Sequence, residues 1–396
     1  MAVYLDCAAT APLDPRVQQE VIKYLSVEFG NAGSHHPFGQ RAKKAVEQAR
    51  SNVAAVVGAT RGEVVFTSGA TESNNLAILG LAARGKQIGK THIVSTKIEH
   101  RSVLEPLETL SQQGFKVTLV SPDSGGQVQA QTVLEAIRDE TLLVSVMQVN
   151  NETGVLQPIE EISQLLGKHR AYFHVDAAQG FGKEIGQLLS RRIDLISVSG
   201  HKIYAPKGVG ALVMRRRNGQ RPPLTPLMYG GGQELGLRPG TLPVHLIVGL
   251  GKASELALEE CDSRSEQCRK FKKMILDKLQ PLNPVFNGDL NLMTPYMINL
   301  AFRGISSEEA IEALNGVVAI SNGSACTSTF DSCSHVLSAM CLDEHQIDGA
   351  LRLSWCHFTD RPDWAMFIEA IKKLGEEVKT TTMRPSKPSI GPRKSC

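Results

Sequence analysis

The middle of the chain alternates strand-like and helical segments, and this alternation limits the possible folds more than any other feature. Apolar, strand-like runs lie at residues 92–96, 116–120, 142–148, 172–175 and 195–199. Helical stretches lie between them, near residues 103–112, 130–138 and 159–166. Such alternation predicts a mainly parallel sheet with helices on both faces, an α/β fold. Sheets of this kind bind their ligands at the carboxyl ends of the strands.

The flanking segments predict a second, smaller domain. The apolar spacing favours helices at 17–27 and 40–57, a turn-rich loop at 30–39, and a long charged helix at 253–279 that leads into an α+β unit. With 396 residues, of which 42% are hydrophobic, the chain is long enough for a large domain at 15–250 and a small domain at 1–14 and 251–379. We expect the tail, 380–396, to be disordered because it cannot bury a core.

Charge and cysteine usage exclude several classes of protein. The net charge of +3 shows no broad basic field, so we expect no direct binding of nucleic acid, and we interpret Arg215-Arg216-Arg217 as a solvated face. No apolar run reaches membrane-spanning length, and the N-terminus lacks the features of a signal peptide, so we expect a cytoplasmic protein. The eight cysteines are expected to be free thiols, and none has the CxxC spacing of a structural zinc site.

Polar side chains gather where the predicted strands end. They are found in Glu99-His100, in Asn150-Asn151-Glu152, in Asp176-Ala177-Ala178-Gln179 and in Ser199-Gly200-His201-Lys202. Because the carboxyl ends of parallel strands lie along one edge of a sheet, these residues are expected to surround one site.

Lys202 occupies an unusual position. It lies in a tight turn between the strand-like run 194–198 and a second apolar run at 208–214, with glycines and a proline around it. A lysine held at the floor of a pocket can lose its proton and form a Schiff base with an aldehyde cofactor. An exposed turn lysine is the alternative, and Lys202 alone does not decide between the two.

The run from Thr67 to Asn75 predicts a strand, a glycine turn and a helix. The N-terminus of such a helix presents free backbone N–H groups and is suited to an anion such as phosphate. Simple capping of the helix by Ser68 or Thr71 is the alternative. The run is not a Walker loop, and the chain lacks the GxGxxG of dinucleotide-binding folds, which argues against a nucleotide-dependent oxidoreductase.

Taken together, these groups match the needs of pyridoxal phosphate. This cofactor requires a lysine for its aldehyde, a carboxylate for its pyridine nitrogen, a helix N-terminus for its phosphate and a donor near its ring hydroxyl. Lys202, Asp176, the Gly69-Ala70-Thr71 turn, and Asn151 or Gln179 meet these needs in turn. Asp176 on its own would more commonly be a structural cap.

The sequence resembles the cysteine desulfurases of the class V aminotransferase group over nearly its whole length, to about residue 375. The motifs that carry the resemblance are Thr67-Ser68-Gly69-Ala70-Thr71-Glu72-Ser73-Asn74-Asn75, Val149-Asn150-Asn151-Glu152, His174-Val175-Asp176-Ala177-Ala178-Gln179, Ser199-Gly200-His201-Lys202 and Gly323-Ser324-Ala325-Cys326-Thr327-Ser328. The resemblance implies the fold-type I transferase architecture, with a mainly parallel sheet of the seven-stranded type, and a homodimer with sites at the subunit interface.

The resemblance also implies a role for each site residue. Lys202 would hold pyridoxal phosphate, and His100 would stack on the cofactor ring and assist proton transfer. Arg352 would bind the substrate carboxylate, and Cys326 would be the nucleophile that accepts sulfur. The remaining cofactor-binding residues would be Asp176 at the pyridine nitrogen, Asn151 and Gln179 at the ring and its hydroxyl, and Ala70, Thr71, Ser199, His201 and, from the other subunit, Thr241 at the phosphate. Alone, His100 could equally be structural; a structural Arg352 and an inert Cys326 are the less favoured alternatives.

The implied activity is that of a cysteine desulfurase, a sulfurtransferase that converts L-cysteine to L-alanine and passes sulfur to Cys326 as a persulfide. An acceptor protein, either an iron–sulfur cluster scaffold or a DNA-modification protein, would then take the sulfur. A selenocysteine lyase or a related class V aminotransferase is the alternative; a plain aminotransferase has no need of a loop cysteine such as Cys326. A non-catalytic scaffold would lack Lys202, Asp176 or Cys326, and all three are present.

Two segments depart from the usual family pattern. Phe330-Asp331-Ser332-Cys333 follows the cysteine loop where Leu-Glu-Pro is common, and Ser354-Trp355-Cys356-His357-Phe358 stands where the family usually has Ser-Leu-Gly-Arg-Phe. The second variant is similar to desulfurases that serve DNA phosphorothioation. We interpret Cys333, Cys341 and Cys356 as packing or incidental residues.

Overall fold

The computed structural model describes residues 2–323 and 333–382. In chain order the strands are β1 (Val3–Tyr4), β2 (Val64–Thr67), β3 (His92–Thr96), β4 (Lys116–Val120), β5 (Thr141–Met147), β6 (Tyr172–Asp176), β7 (Leu195–Ser199), β8 (Gly210–Met214), β9 (Val285–Phe286), β10 (Met297–Ala301), β11 (Val318–Ala319) and β12 (Leu351–Ser354). The α-helices are α1 (Pro15–Ser26), α2 (Pro37–Val56), α3 (Ala70–Gly80), α4 (Ala82–Gln87), α5 (Arg101–Gln112), α6 (Ala130–Glu135), α7 (Ile159–Leu166), α8 (Val244–Leu279), α9 (Ser307–Ala313), α10 (His335–Ala339), α11 (Glu344–Asp348) and α12 (Trp364–Thr382).

A seven-stranded sheet forms the centre of the large domain, in the order β2-β8-β7-β6-β5-β3-β4. The pairs formed by β3 to β7 are parallel, and β8 is antiparallel to both β2 and β7. Strand residues alternate between two apolar cores, so that Phe66 packs with α1, α2 and α7 while Val65 packs with α3 and α5. The predicted α/β fold with a mainly parallel sheet is confirmed.

The predicted small domain has an apolar core of its own, around a three-stranded antiparallel sheet of order β12-β10-β9. Leu5 belongs to this core, and β1 pairs in parallel with β11, so the start of the chain packs with its last third. The long helix α8 joins the two units, because Ile247 packs in the large core and Ile275 in the small one. These contacts support the domain division given above, which stays a proposal.

Several predicted helix starts were wrong, and each observed start lies at or directly after a proline. Helix α1 begins at Pro15, with Asp14 as a cap that accepts a hydrogen bond from the Arg16 amide at 2.9 Å. Helix α2 begins at Pro37, inside the segment that was predicted to be a loop. Proline is compatible with the first helical turn, where the backbone N–H has no intrahelical partner. Helix α8 likewise begins at Val244, directly after Pro243, rather than at residue 253.

The three-arginine run is a solvated face only at Arg216, which is exposed. Arg215 is 2% exposed, and its guanidinium donates to the carbonyl oxygens of Val57, Ser190 and Leu188. Arg217 forms an ion pair with Asp194 at the edge of the sheet. The prediction failed because a charge pattern does not show which backbone carbonyls lie within reach of a long side chain.

In the parts of the chain that the structure describes, no helix combines the length and the apolar character needed to cross a bilayer. The predicted disordered tail lies mostly outside those parts: helix α12 continues to Thr382, and residues 383–396 are not among the described residues.

Candidate active site

A cavity of about 510 Å³ lies at the carboxyl ends of β3, β5, β6 and β7. This is the edge at which the alternation of strands and helices predicts a ligand site. The predicted residues that line it are Ala70, Thr71, His100, Asn151, Asp176, Gln179, Ser199, His201, Lys202 and Arg352. Residues far apart in sequence therefore meet around one space of the size of a small-molecule pocket.

Lys202 ends a single 3₁₀ turn, Gly200–Lys202, that directly follows β7. Its Nζ donates to the carbonyl oxygens of Ala8 at 2.6 Å and Ala9 at 2.7 Å. Gln179 also donates to the Ala8 carbonyl, at 2.9 Å. Lys202 is therefore not an exposed turn lysine: the first segment of the chain holds its amine at the wall of the cavity.

Helix α3 presents its N-terminus to the same cavity. Its N-cap is Gly69, which makes no side-chain capping bond, so neither Ser68 nor Thr71 caps the helix. Two strand ends lie unusually close here, since a Cβ placed on Gly210 would lie 2.6 Å from the Gly69 Cα. The uncapped first turn leaves backbone N–H groups available to an anion.

His201 lies beside this anion-binding region as a neutral imidazole. Burial, together with the charges of Lys202, Lys207 and Lys183, lowers its pKa to about 4. Its Nδ1 lies 3.2 Å from the Thr10 hydroxyl. At neutral pH His201 can therefore act toward an anion only as a neutral hydrogen-bond donor.

A hydrogen-bonded chain of side chains connects Asp176 to His100. Asn74 Nδ2 donates to Asp176 Oδ2 at 2.7 Å and to the Ser102 hydroxyl at 2.8 Å. That hydroxyl lies 2.8 Å from His100 Nδ1, which also accepts from the Ser102 backbone N–H. Because Nδ1 accepts, the neutral tautomer of His100 carries its proton on Nε2.

Asp176 is held by two donors, Asn74 and the backbone N–H of Ala178, the latter at 2.9 Å. It is 5% exposed at the end of β6. Asn74 and Ser102 were not predicted as site residues, although Asn74 lies inside the motif from Thr67 to Asn75. Its role became visible only with the fold, since 102 residues separate Asn74 from Asp176.

Arg352 is buried and already engaged on two sides. It donates to the Asn151 carbonyl at 2.8 Å and forms an ion pair with Asp6 at 2.7 Å. The Arg352 Nε and the Asn151 Oδ1 are both buried without a hydrogen-bond partner in the structure. These two atoms are suited to a ligand that brings a carboxylate and a donor. Asp6 was not predicted to contact Arg352.

Two predicted residues are not part of this cavity. Thr241 is exposed and lines a separate cavity of about 940 Å³ beside Arg50 and Glu234. Its predicted action in a partner subunit stays a prediction. Cys326 lies outside the described residues, and the described chain stops just before it, at Gly323, whose carbonyl lies 3.4 Å from Arg352 Nη1.

Comparison with known proteins decides the family. The model of the aminotransferase class-V family matches residues 3–365. The chain belongs to this family. The resemblance inferred from the motifs is thereby confirmed, and the match extends over both cores.

The class V relatives of this chain include cysteine desulfurases. Cysteine desulfurase IscS of Vibrio cholerae is 42% identical over 376 residues, which cover 94% of this chain and 92% of the relative. The solved structure of DndA from Streptomyces lividans is 45% identical with a TM-score of 0.78, and the match covers 89% of this chain and 99% of that one. A NifS-like protein matches with a TM-score of 0.85 at 34% identity, over 96% of this chain and 100% of the other.

Proposed function

We propose that this chain is a pyridoxal phosphate-dependent cysteine desulfurase that converts L-cysteine to L-alanine and transfers the sulfur to Cys326. The observation that carries the proposal is the meeting of Lys202, Asp176, Arg352 and the uncapped N-terminus of α3 around one cavity. The similarity to cysteine desulfurase IscS over nearly the whole chain supports the same activity.

The residues present fit this cofactor. The cavity of about 510 Å³ has a lysine amine, a carboxylate and an uncapped helix N-terminus on its walls. Lys202 would bind the aldehyde, Asp176 would pair with the pyridine nitrogen, and α3 with Ser199 and His201 would bind the phosphate. The unpartnered Asn151 Oδ1 and the half-buried His100 would lie against the ring.

When bound, pyridoxal phosphate supplies an electron sink for the pair left at Cα of the substrate. The chain's own residues do the rest. Arg352 binds and orients the substrate carboxylate through the Nε that has no other partner. The Ala8 and Ala9 carbonyls position the Lys202 amine at the cavity wall. From there the amine would take up the Cα proton. Asn74 holds the buried Asp176 carboxylate, whose negative charge would face the pyridine nitrogen.

The sulfur transfer from L-cysteine to Cys326 requires no additional oxidant. The Cys326 thiolate attacks the substrate sulfur, an S–S bond forms, and the Cβ–S bond breaks with its electron pair left on Cβ. Protonation of that carbon gives alanine. The net reaction converts L-cysteine and the Cys326 thiol to L-alanine and a Cys326 persulfide, which an acceptor then attacks.

The assembly and the pathway are parts of the same proposal. The protein acts as a cytoplasmic homodimer in which Thr241 serves the partner's site, and it hands sulfur to an iron–sulfur scaffold or a DNA-modification protein. The similarity to DndA at 45% identity supports the second pathway. Selenocysteine lyase chemistry is the alternative, since the same residues would accept a selenium substrate.

A difference spectrum tests the proposal. Purified protein loaded with pyridoxal phosphate is expected to absorb in the visible range, and L-cysteine should change the band while alanine accumulates. Lys202→Arg keeps the charge but cannot take part in Schiff-base exchange, so it should lose both the characteristic band and turnover. A protein that stays colourless with added cofactor, or a Lys202→Arg variant with near-normal turnover, contradicts the proposal.

Substitution of Cys326 separates binding from sulfur transfer. Cys326→Ala is expected to keep the cofactor band and its response to L-cysteine but to form no protein persulfide, because the thiol acts after substrate binding. Mass spectrometry of the protein after one turnover would measure the added sulfur, with the exposed Cys341→Ala as the matched control. Undiminished persulfide on Cys326→Ala would remove this residue from the mechanism.

A further inference from the structure

The proposed function makes no use of the Ser354-Trp355-Cys356-His357 run. In the fold, a second thiol, that of Cys7, lies next to Cys356. The first residues of the chain lie alongside the end of β12: Asp6 and Ser354 form a parallel bridge, and the Cys7 amide donates to the Ser354 carbonyl at 3.1 Å. Cys7 and Cys356 thereby reach one buried cluster with Ala11 and Tyr204. They are 3% and 4% exposed.

The two thiols are unequal partners. The side-chain interaction between Cys7 and Cys356 is the main reason that the pKa of Cys356 is lowered while the pKa of Cys7 is raised. The Thr359 hydroxyl donates to the Cys356 sulfur over 3.6 Å, and the charge of Lys183 acts in the same direction. Cys356 is therefore the thiol of the pair that ionises more readily, and Cys7 lies beside it in the same buried cluster.

Both thiols are almost completely buried, and only a small void lies beside them. A void of about 10 Å³, lined by Cys7, Lys183 and Gln179 among others, has room for about one water molecule. Phe358 is 41% exposed, so Cys356 lies two residues from the surface. The void is lined by Cys7 and not by Cys356, so attack by the Cys356 thiolate requires a local opening of this segment that admits a small oxidant such as hydrogen peroxide.

We propose that Cys7 and Cys356 are a reversible modification site at which a hydroperoxide forms an intramolecular disulfide. The Cys356 thiolate attacks one peroxide oxygen, the O–O bond breaks, and the sulfur becomes a sulfenic acid as water leaves. The Cys7 thiol then attacks this sulfur, an S–S bond forms, and a second water leaves. Two thiols are oxidised and one hydrogen peroxide is reduced to two waters. In this proposal Cys356, interpreted from the sequence as a packing or incidental residue, has a chemical role as well.

The modification would act on the segment that holds the cavity lysine. Ala8 follows Cys7 directly, and its N–H donates to the Ser354 hydroxyl at 2.8 Å while its carbonyl accepts from Lys202. A covalent link from Cys7 to Cys356 would tie this segment to β12 and limit its local opening. Oxidation of Cys7 and Cys356 would thus reduce the mobility of the segment whose Ala8 carbonyl accepts from Lys202.

Peptide mapping of the full-length protein tests the disulfide. Protein is treated with hydrogen peroxide, alkylated, unfolded and digested with trypsin without reduction. Cys7 lies in peptide 1–16 and Cys356 in 353–372, each with no other cysteine, so a linked pair has a unique mass. We expect this linked peptide, and its loss after reduction. Both thiols unmodified at a dose that fully oxidises the exposed Cys341, or Cys356 linked to Cys268 instead, would overturn the proposal.

Hydrogen exchange tests the consequence. Exchange of the peptide that covers residues 5–14 should slow in oxidised wild-type protein and return to its former rate after reduction. Cys356→Ser should show no change on oxidation, and the matched control Cys268→Ser, which removes another buried thiol, should behave as wild type. Equal exchange in oxidised and reduced wild type would contradict the coupling to the Lys202 segment. Neither readout depends on the proposed desulfurase activity.

Discussion

Glu99, next to His100 in sequence, is a buried carboxyl that connects two of the strands supporting the site. Its Oε1 accepts hydrogen bonds from the Thr96 hydroxyl at 2.7 Å and from the Met147 amide at 2.9 Å, at the ends of β3 and β5. Its Oε2 has no partner among the described residues. Burial, with a smaller contribution from the Asp176 charge, raises its pKa to about 8 against the usual 4.5. Glu99 is therefore neutral in the folded protein at neutral pH.

This shift predicts a loss of stability as pH rises. Between about pH 5 and 8 the folded state holds the Glu99 proton while the unfolded state has released it, so unfolding becomes easier across this window. Glu99→Gln keeps an oxygen that can accept from Thr96 and Met147 but has no titratable proton. It should reduce the loss of unfolding free energy between pH 5 and 8 by about 2–4 kcal/mol. Urea denaturation at a series of pH values measures this.

The control for this experiment is Glu309→Gln. Hydrogen bonds from Ser306 lower the pKa of Glu309, so its contribution to stability is lost only as pH falls below the usual carboxyl range. The control should not change the slope between pH 5 and 8. An identical slope in wild type and Glu99→Gln would mean that Glu99 is ionised in the folded protein.

At the residue scale, sequence reasoning finds groups whose chemistry is unusual and misses those that hold them. Lys202 and Asp176 were predicted because, together with the turn before α3 and with Asn151 or Gln179, they meet the needs of one cofactor, although each alone has a common structural alternative. Asn74, Ser102 and Asp6 were missed because amides, hydroxyls and carboxylates have many ordinary structural roles. Only the fold brings Asn74 to Asp176.

At the scale of elements, Gly210 allows the two turns of the site to approach each other. In the sheet it lies opposite Ser199 of β7 on one side and Thr67 of β2 on the other. A Cβ there would lie 2.3 Å from the Val198 carbonyl oxygen and 2.6 Å from the Gly69 Cα. Both are backbone atoms, so the strands themselves would have to move.

Gly210→Ala is therefore expected to destabilise the protein by about 1–3 kcal/mol and to weaken cofactor binding, because the N-terminus of α3 shifts relative to Lys202. Chemical denaturation and a spectroscopic titration with pyridoxal phosphate measure the two effects. Gly186→Ala is the matched control, since no atom lies within 4 Å of its added Cβ. Wild-type affinity in Gly210→Ala would show that the close approach is not needed for binding.

The strand and helix pattern predicted most of the large sheet. Alternation of apolar strands with helices is a local signal, and β3, β4 and β7 were placed at their observed bounds. The antiparallel placement of β8, between β2 and β7, could not be predicted, because strand order depends on contacts between distant segments. Helix starts at prolines were missed because the first turn tolerates them.

At the scale of the whole molecule, the proposed action of Thr241 in the partner's site predicts that a complete site needs two subunits. Lys202→Ala and Thr241→Ala should each be impaired alone. Mixed and allowed to exchange subunits, they should recover up to about a quarter of wild-type activity, because half of the dimers then contain one intact site of two.

Activity assays before and after subunit exchange measure this recovery, with each variant mixed with itself as the control. If the mixture is no more active than the average of its components, Thr241 does not act in the partner's site. The whole-chain resemblance made this expectation possible, whereas composition and periodicity contain no information on subunit contacts.

The anchoring of the first residues at the far end of the chain has a consequence for biosynthesis. Ala8 is synthesised long before Ser354, whose hydroxyl accepts its N–H, and β1 pairs with β11 near residue 318. Contacts of such long sequence separation form late, since a long loop must close before they contribute. A nascent chain can therefore complete its central sheet while the Lys202 amine still lacks these contacts. The site is completed only after Ser354 has been synthesised, so synthesis that stops before this residue would leave the Lys202 contacts unanchored.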